Sequence, residues 1–212
     1  MLMSFIRAAG LACLAWMLAV PVMAQGASAP SSEWIAALRG GGYVMVLRHG
    51  ATNPDQADTD PLNIADVSKQ RLLSDQGRAL AKSMGESLHT LKIPVGQVQT
   101  SKFNRAIETG TLLGYGEASP SFDFTEGGLV VSPKENDRRA KALRAAAGTV
   151  PAAGTNVLIV THKPNLLDAF GKDWFDIREG EMSIFKPDGN GGFTFVARVQ
   201  AGDWAKLVQT AK

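Results

Sequence analysis

Tyr43-Val44-Met45-Val46-Leu47-Arg48-His49-Gly50 is the stretch whose reading decides the fold of this chain. An unbroken apolar run of this length reads as a strand covered on both faces, which is the situation of a parallel sheet with helices on either side. Where such a strand passes into a polar segment, its last side chains emerge at the carboxyl edge of the sheet, where open α/β proteins hold their ligands. An arginine and a histidine side by side at that edge offer a planar cationic fork and a titratable ring, a pair suited to an anion such as phosphate.

Outward from this stretch the chain alternates strands and helices. Upstream, Ser32 caps a short helix containing Trp34, Ile35 and Leu38 that stops at Gly40-Gly41-Gly42. Downstream, Ser74 is the N-cap of a longer helix in which Leu80, Ala81, Met84 and Leu88 recur at helical spacing. Val95 to Thr100 reads as a strand, Arg105 to Leu113 as a helix, the segment around Pro120 as a loop, and Glu135 to Ala147 as a helix. Val157-Leu158-Ile159-Val160 is a second continuous apolar strand, followed by a helix near Asn165 to Phe170. Strands Met182 to Phe185 and Phe193 to Val199, joined by Pro187-Asp188-Gly189-Asn190-Gly191-Gly192, form a hairpin. The expected fold is therefore one three-layer α/β domain, with a mostly parallel central sheet flanked by helices and the hairpin at or near its edge.

The N-terminus reads differently. Arg7 precedes an apolar stretch from Leu11 to Val20, Pro21 breaks it, and Val22-Met23-Ala24 offers a cleavage site, so residues 1–24 are expected to be a signal peptide. An uncleaved anchor is the alternative, although the stretch is short for a membrane span. Cys13 lies near the start of this stretch, so the bulk of the apolar region follows it and does not precede it, which argues against a lipoprotein attachment site. It is also the sole cysteine of the chain, and a periplasmic or secreted domain of this size has core enough to do without disulfides. Residues 25–32, rich in Ala, Ser, Gly and Pro, read as a flexible leader, and 33–212 as the domain. A net charge of +2 without a basic cluster or a basic amphipathic helix argues against nucleic acid and, after signal removal, membrane as partners.

The chain has three histidines, His49, His89 and His162. His89 ends the Ser74 helix, where a cation suits the helix dipole. His49 and His162 both leave apolar strands, and Ser101 to Arg105 leaves the strand between them in sequence. Three strand exits thus deliver Arg48, His49, Arg105 and His162 to one sheet edge.

Leu47-Arg48-His49-Gly50, Leu73-Ser74-Asp75-Gln76-Gly77, Ser101-Lys102-Phe103-Asn104-Arg105-Ala106-Ile107-Glu108-Thr109 and Val160-Thr161-His162 together resemble the histidine phosphatase superfamily, in the branch that includes phosphoglycerate mutases. The resemblance spans Tyr43 to about Phe170 and implies a phosphoglycerate mutase-like fold. It further implies a metal-independent phosphatase without a cofactor, acting on a small phosphorylated substrate. His49 would be the nucleophile that becomes phosphohistidine, its other nitrogen held as a donor by a carbonyl near Gly50. Arg48 and Arg105 would grip the phosphoryl oxygens, and His162, when protonated, would add a third donor. Gly50, Thr52 and Asn53 are expected at the phosphate, with a plain turn at Thr52-Asn53-Pro54 as the alternative. Glu108 is expected to orient Arg105 or to pair with a neighbour. The acid that protonates the leaving oxygen is expected to be Glu126, with Glu181 as its rival. Lys163-Pro164-Asn165 replaces the glycine common after the second histidine.

Other chemistries fit less well. Asp55, Asp58 and Asp60 lack the central glycine and terminal glutamate of a calcium loop, and read as a solvated acidic segment near the site mouth. Zinc would need clustered ligands, and no Gly-x-Ser-x-Gly marks a serine hydrolase. A mutase-like phosphotransferase and a non-catalytic phospho-ligand module are the alternatives. Envelope glycan or lipid phosphates, scavenged metabolites and phosphoprotein are all compatible substrates.

Overall fold

In the computed structural model, which describes residues 31–127 and 130–210, the strand read first from the sequence lies inside a single sheet. The signal segment 1–24 and most of the leader lie outside the described residues, and helix α1 (Ser31–Arg39) takes in the leader's last two positions. Strand β1 (Val44–Arg48) follows, then α2 (Asp75–Thr90), β2 (Val95–Ser101), α3 (Asn104–Leu112), β3 (Ala118–Ser121) and α4 (Pro133–Ala147). The chain continues through β4 (Asn156–Thr161), α5 (Lys163–Phe170), β5 (Met182–Pro187), β6 (Phe193–Val199) and α6 (Asp203–Thr210). The strand order is β3-β2-β4-β1-β5-β6, parallel throughout except that β5 runs against both of its neighbours. This is the mostly parallel sheet with a terminal hairpin that the sequence predicts.

Alternation along β1 builds the layers. Met45 and Leu47 face a core made with α1, α2, α3 and α6, while Val44 and Val46 face a core made with α4 and α5. All four are fully buried, so polar side chains have room only at the strand ends. At the amino edge, buried Asn156 ties three segments together. Its Nδ2 donates to the carbonyls of Leu38 and Pro94, each at 2.8 Å, and its Oδ1 accepts from Tyr43 N at 3.0 Å. The carboxyl edge is left for the chemistry.

Two elements differ from the sequence reading. The segment around Pro120, expected as a loop, is the edge strand β3, followed by a 3-10 turn at Phe122–Phe124. Ala-Ser-Pro-Ser carries no strand signal of its own. It is a strand because β2 offers a free edge, where proline's missing N–H is tolerated. Helix α6 was not anticipated either. It is only eight residues long, and is held by buried Trp204, which meets Trp34 edge-on at 5.8 Å.

Candidate active site

Neighbouring parallel strands put their exits in register. Arg48 at the end of β1 stands beside Thr161 at the end of β4, and Thr100 of β2 beside Val160. The backbone there is pinned from both sides: Arg48 N donates to Glu181 O and His49 N to Thr161 O, each at 3.0 Å, and Gly180 N donates to His49 O at 2.9 Å. Hence His49, His162 and Arg105 meet as buried side chains at this edge, among buried Ser101, Thr109, Thr125 and Thr161.

The tautomer of His49 follows from one contact. Its Nδ1 lies 2.8 Å from the carbonyl oxygen of Gly50, and a carbonyl can only accept, so Nδ1 carries the proton and Nε2 keeps the lone pair. Burial, then His162 and Arg105, push the His49 pKa well below 6.5, so the neutral form is the resting one. Gly50 is fixed in turn, with its N–H donating to Thr109 Oγ1 at 3.0 Å. The loop after it rests on the capped start of α2: Ser74 Oγ accepts from Gly77 N, and Ser74 N donates to Ala51 O. A Cβ on Gly77 would stand 2.0 Å from Ala51 O, so only glycine permits this approach.

Arg105 opens α3 and is fully buried. Its Nη1 donates to Asp58 Oδ1 at 2.9 Å, its Nη2 to Glu126 Oε1, and its guanidinium lies over the Phe103 ring at 4.3 Å. Arg48 donates to the carbonyl of Ile177 at 2.7 Å and approaches Glu179 at 3.4 Å. His162 caps α5, 5.1 Å from His49 between ring centroids. Its Nε2 lies 2.7 Å from Ser101 Oγ, and its Nδ1 lies 3.2 Å from Glu126 Oε1 without the alignment of a hydrogen bond. Burial, then Arg105, Arg71 and Arg48, hold its pKa well below 6.5. The protonated His162 on which the sequence reading made a third donor conditional is therefore not its resting state. Arg48 Nε and Arg105 Nε are buried donors, and His162 Nδ1 a buried ring nitrogen, without hydrogen-bond partners among the described residues, and an oxyanion would satisfy the two guanidinium donors.

Glu126 stands on a braced loop. The adjacent Thr125 accepts at its carbonyl from Arg139 at 2.9 Å and Asn165 at 3.2 Å, and its hydroxyl accepts from Lys102 N at 2.9 Å. Gly127 serves packing more than reach, since a Cβ there would meet Val131 and Asn136, and Gly128 lies outside the described residues. Glu181, the rival, is buried and taken up by Arg198 and Gln200. Thr52 is near the site, but its hydroxyl donates to Glu179 Oε1 and accepts from Arg71 Nη1, each at 2.9 Å. Asn53 turns its amide to Gln56 and Leu73 O at 3.4 Å, which is the turn alternative. Glu108 pairs with Arg78 of α2 at 2.6 Å, and His89 ends α2 stacked on Tyr115 at 4.1 Å.

Arg71 and Glu179 were missed. Arg71 lines a cavity of 290 Å³ at the mouth, together with Asp58, Phe103, Glu126 and Val130. Its place just ahead of the Leu72-Leu73-Ser74 helix start is the one sequence cue, whereas Glu179 sits in a connector that carries none.

No family model and no curated protein sequence matches the chain. Solved structures do match it. The protein histidine phosphatase SixA in complex with tungstate is similar at TM-score 0.55 and 21% identity, over 76% of this chain and 98% of that one. A mycobacterial glucosyl-3-phosphoglycerate phosphatase with inorganic phosphate gives 0.53 and 16%, over 76% and 99%. A phosphoserine phosphatase mutant from Entamoeba histolytica, with phosphoserine, gives 0.50 and 13%, over 75% and 97%. The fold of this chain is thus the phosphoglycerate mutase-like α/β fold of the histidine phosphatases.

Proposed function

We propose that this protein is a phosphatase of the histidine phosphatase superfamily, hydrolysing a phosphate monoester through a phosphohistidine on His49. The observation that carries the reading is the 2.8 Å contact from His49 Nδ1 to the Gly50 carbonyl, beside Arg48, Arg105 and His162. It leaves a neutral Nε2 as nucleophile where phosphate oxygens would find cationic forks. The solved structures of like fold include phosphatases of phosphohistidine, phosphoserine and a sugar phosphoglycerate ester, and this supports the reading.

In the first step His49 Nε2 attacks phosphorus, the P–O bond to the organic group breaks, and Glu126 as a carboxylic acid gives its proton to the leaving oxygen. In the second, a water oxygen attacks phosphorus, its proton passes to the Glu126 carboxylate, and the P–N bond breaks to return neutral His49. Arg48 and Arg105 stabilise charge on the equatorial oxygens, and phosphoryl transfer asks for little else. Arg105 must leave Asp58 or Glu126 to do so. Arg7, the apolar run Leu11 to Val20 and Ala24 support export of the domain to the periplasm.

The test is hydrolysis of para-nitrophenyl phosphate by the purified domain at acidic and neutral pH, with and without EDTA. Chelator-insensitive release is expected, lost in His49→Ala with the fold intact, and lowered about a hundredfold or more in Arg105→Ala. Phosphate binding with no release under any condition would overturn the enzyme in favour of a binding module. Loss of activity to EDTA would overturn the metal-independent mechanism.

A further inference from the structure

Ser101 is the last residue of β2, fully buried, with its hydroxyl against the second histidine of the site. Its oxygen already receives one proton, from Phe103 N at 3.1 Å. Among the described residues its other polar neighbour is His162 Nε2, at 2.7 Å. A hydroxyl has one proton to give. Were Nε2–H the donor, the serine oxygen would accept twice and its own buried proton would go without a partner, which is unfavourable for a desolvated hydroxyl. The remaining arrangement satisfies the serine in full, Phe103 N–H to Ser101 Oγ and Ser101 O–H to His162 Nε2, and leaves the ring proton on Nδ1, facing Glu126.

We infer that Ser101 is a positioning residue that fixes His162 as the Nδ1–H tautomer, so that the ring presents a proton to the bound phosphoryl group while uncharged. His162 Nδ1 is buried, 3.2 Å from Glu126 Oε1, and without an aligned partner. It is therefore the nitrogen on the Glu126 side that carries the proton. The surrounding charges agree, since burial, then Arg105, Arg71 and Arg48, disfavour the imidazolium. Two histidines in one pocket thus end in the same tautomer by opposite means: a carbonyl accepts from His49 Nδ1, and a hydroxyl donates to His162 Nε2. One keeps Nε2 free to attack, and the other keeps Nδ1–H free to donate. Neither role survives a tautomer flip.

The experiment has two arms. Long-range proton–nitrogen correlation spectra of the ¹⁵N-histidine-labelled domain at neutral pH, assigned with His49→Ala and His89→Gln variants, read each tautomer directly. Nδ1–H is expected at His162, and an Nε2–H pattern there in the unsubstituted protein would overturn the inference. In Ser101→Ala the His162 signal is expected to shift toward Nε2–H, and kcat for para-nitrophenyl phosphate to fall about tenfold to a hundredfold. Circular dichroism and the melting temperature should stay close to those of the parent, and Ser101→Thr should return most of the rate. Unchanged kcat and spectrum in Ser101→Ala would overturn it as well. Should that variant fail to fold, the spectrum of the parent still decides. The kinetic arm rests on the phosphatase reading and the spectral arm does not, so the two fail separately.

Discussion

Arg105 is held by two carboxylates in the resting site, Asp58 at 2.9 Å and Glu126 on its other nitrogen. An incoming phosphate must compete with Asp58 for the same fork. Asp58→Asn keeps the shape and weakens this internal competitor, so inorganic phosphate is expected to inhibit more tightly, by about threefold to tenfold in Ki, because charge-assisted pairs are roughly twice as strong as neutral ones. Weaker inhibition would show that Asp58 orders the fork rather than occupying it. At this scale the sequence was legible wherever a residue type carries one chemistry. Arg48, His49, Arg105 and His162 do converge, and the carbonyl partner of His49 is the one expected. The reading thinned at side chains whose role depends on a neighbour. Thr52 is taken by Glu179 and Arg71, and Glu181 by Arg198, and no local pattern announces such long-range pairs.

At the scale of elements, α2 meets the loop after β1 through Gly77. Glycine to alanine within a helix ordinarily adds about 1 kcal/mol to helix stability. Here the sign reverses, because the new methyl would face a backbone oxygen at 2.0 Å that no side-chain rotation can move. Gly77→Ala is expected to lower stability by about 1–3 kcal/mol, with a fall in kcat greater than that of a remote core variant of equal melting temperature. A melting temperature at or above the parent's would refute the contact. Elements with a strong period or cap were legible: Ser74 is the N-cap, and the apolar runs are the two central strands. β3 was not, since Ala118-Ser119-Pro120-Ser121 becomes a strand only by leaning on β2. Edge strands owe more to the neighbour than to their own residues.

Across the whole molecule, burying two neutral histidines links stability to pH. His49 and His162 have folded pKa values well below 6.5, while in the unfolded chain each takes a proton near 6.5. The unfolded chain therefore binds more protons as pH falls below that value. Their contribution is fully present above it and is lost toward acid, by up to about 1.4 kcal/mol per pH unit for each ring. Urea midpoints should fall from pH 6.5 to pH 5, less steeply in His49→Ala, and a midpoint that rises over this range would contradict the burial of neutral rings. The fold class and the terminal hairpin were legible at this scale, but the strand order was not, because nothing local dictates that β4 inserts between β1 and β2.

That order also fixes when the pocket can exist. β1 lies between β4 and β5, and Arg48 finds its carbonyl partner at Ile177, 129 positions further on. A chain emerging amino-terminus first presents its reactive strand long before either flank has been synthesised. Loop closure over such distances comes late. A fragment ending at Phe170 would leave β1 with a bare edge and Arg48 without Ile177 or Glu179. On the phosphatase reading, turnover would await the finished chain, and the first strand among the described residues would be among the last to become useful.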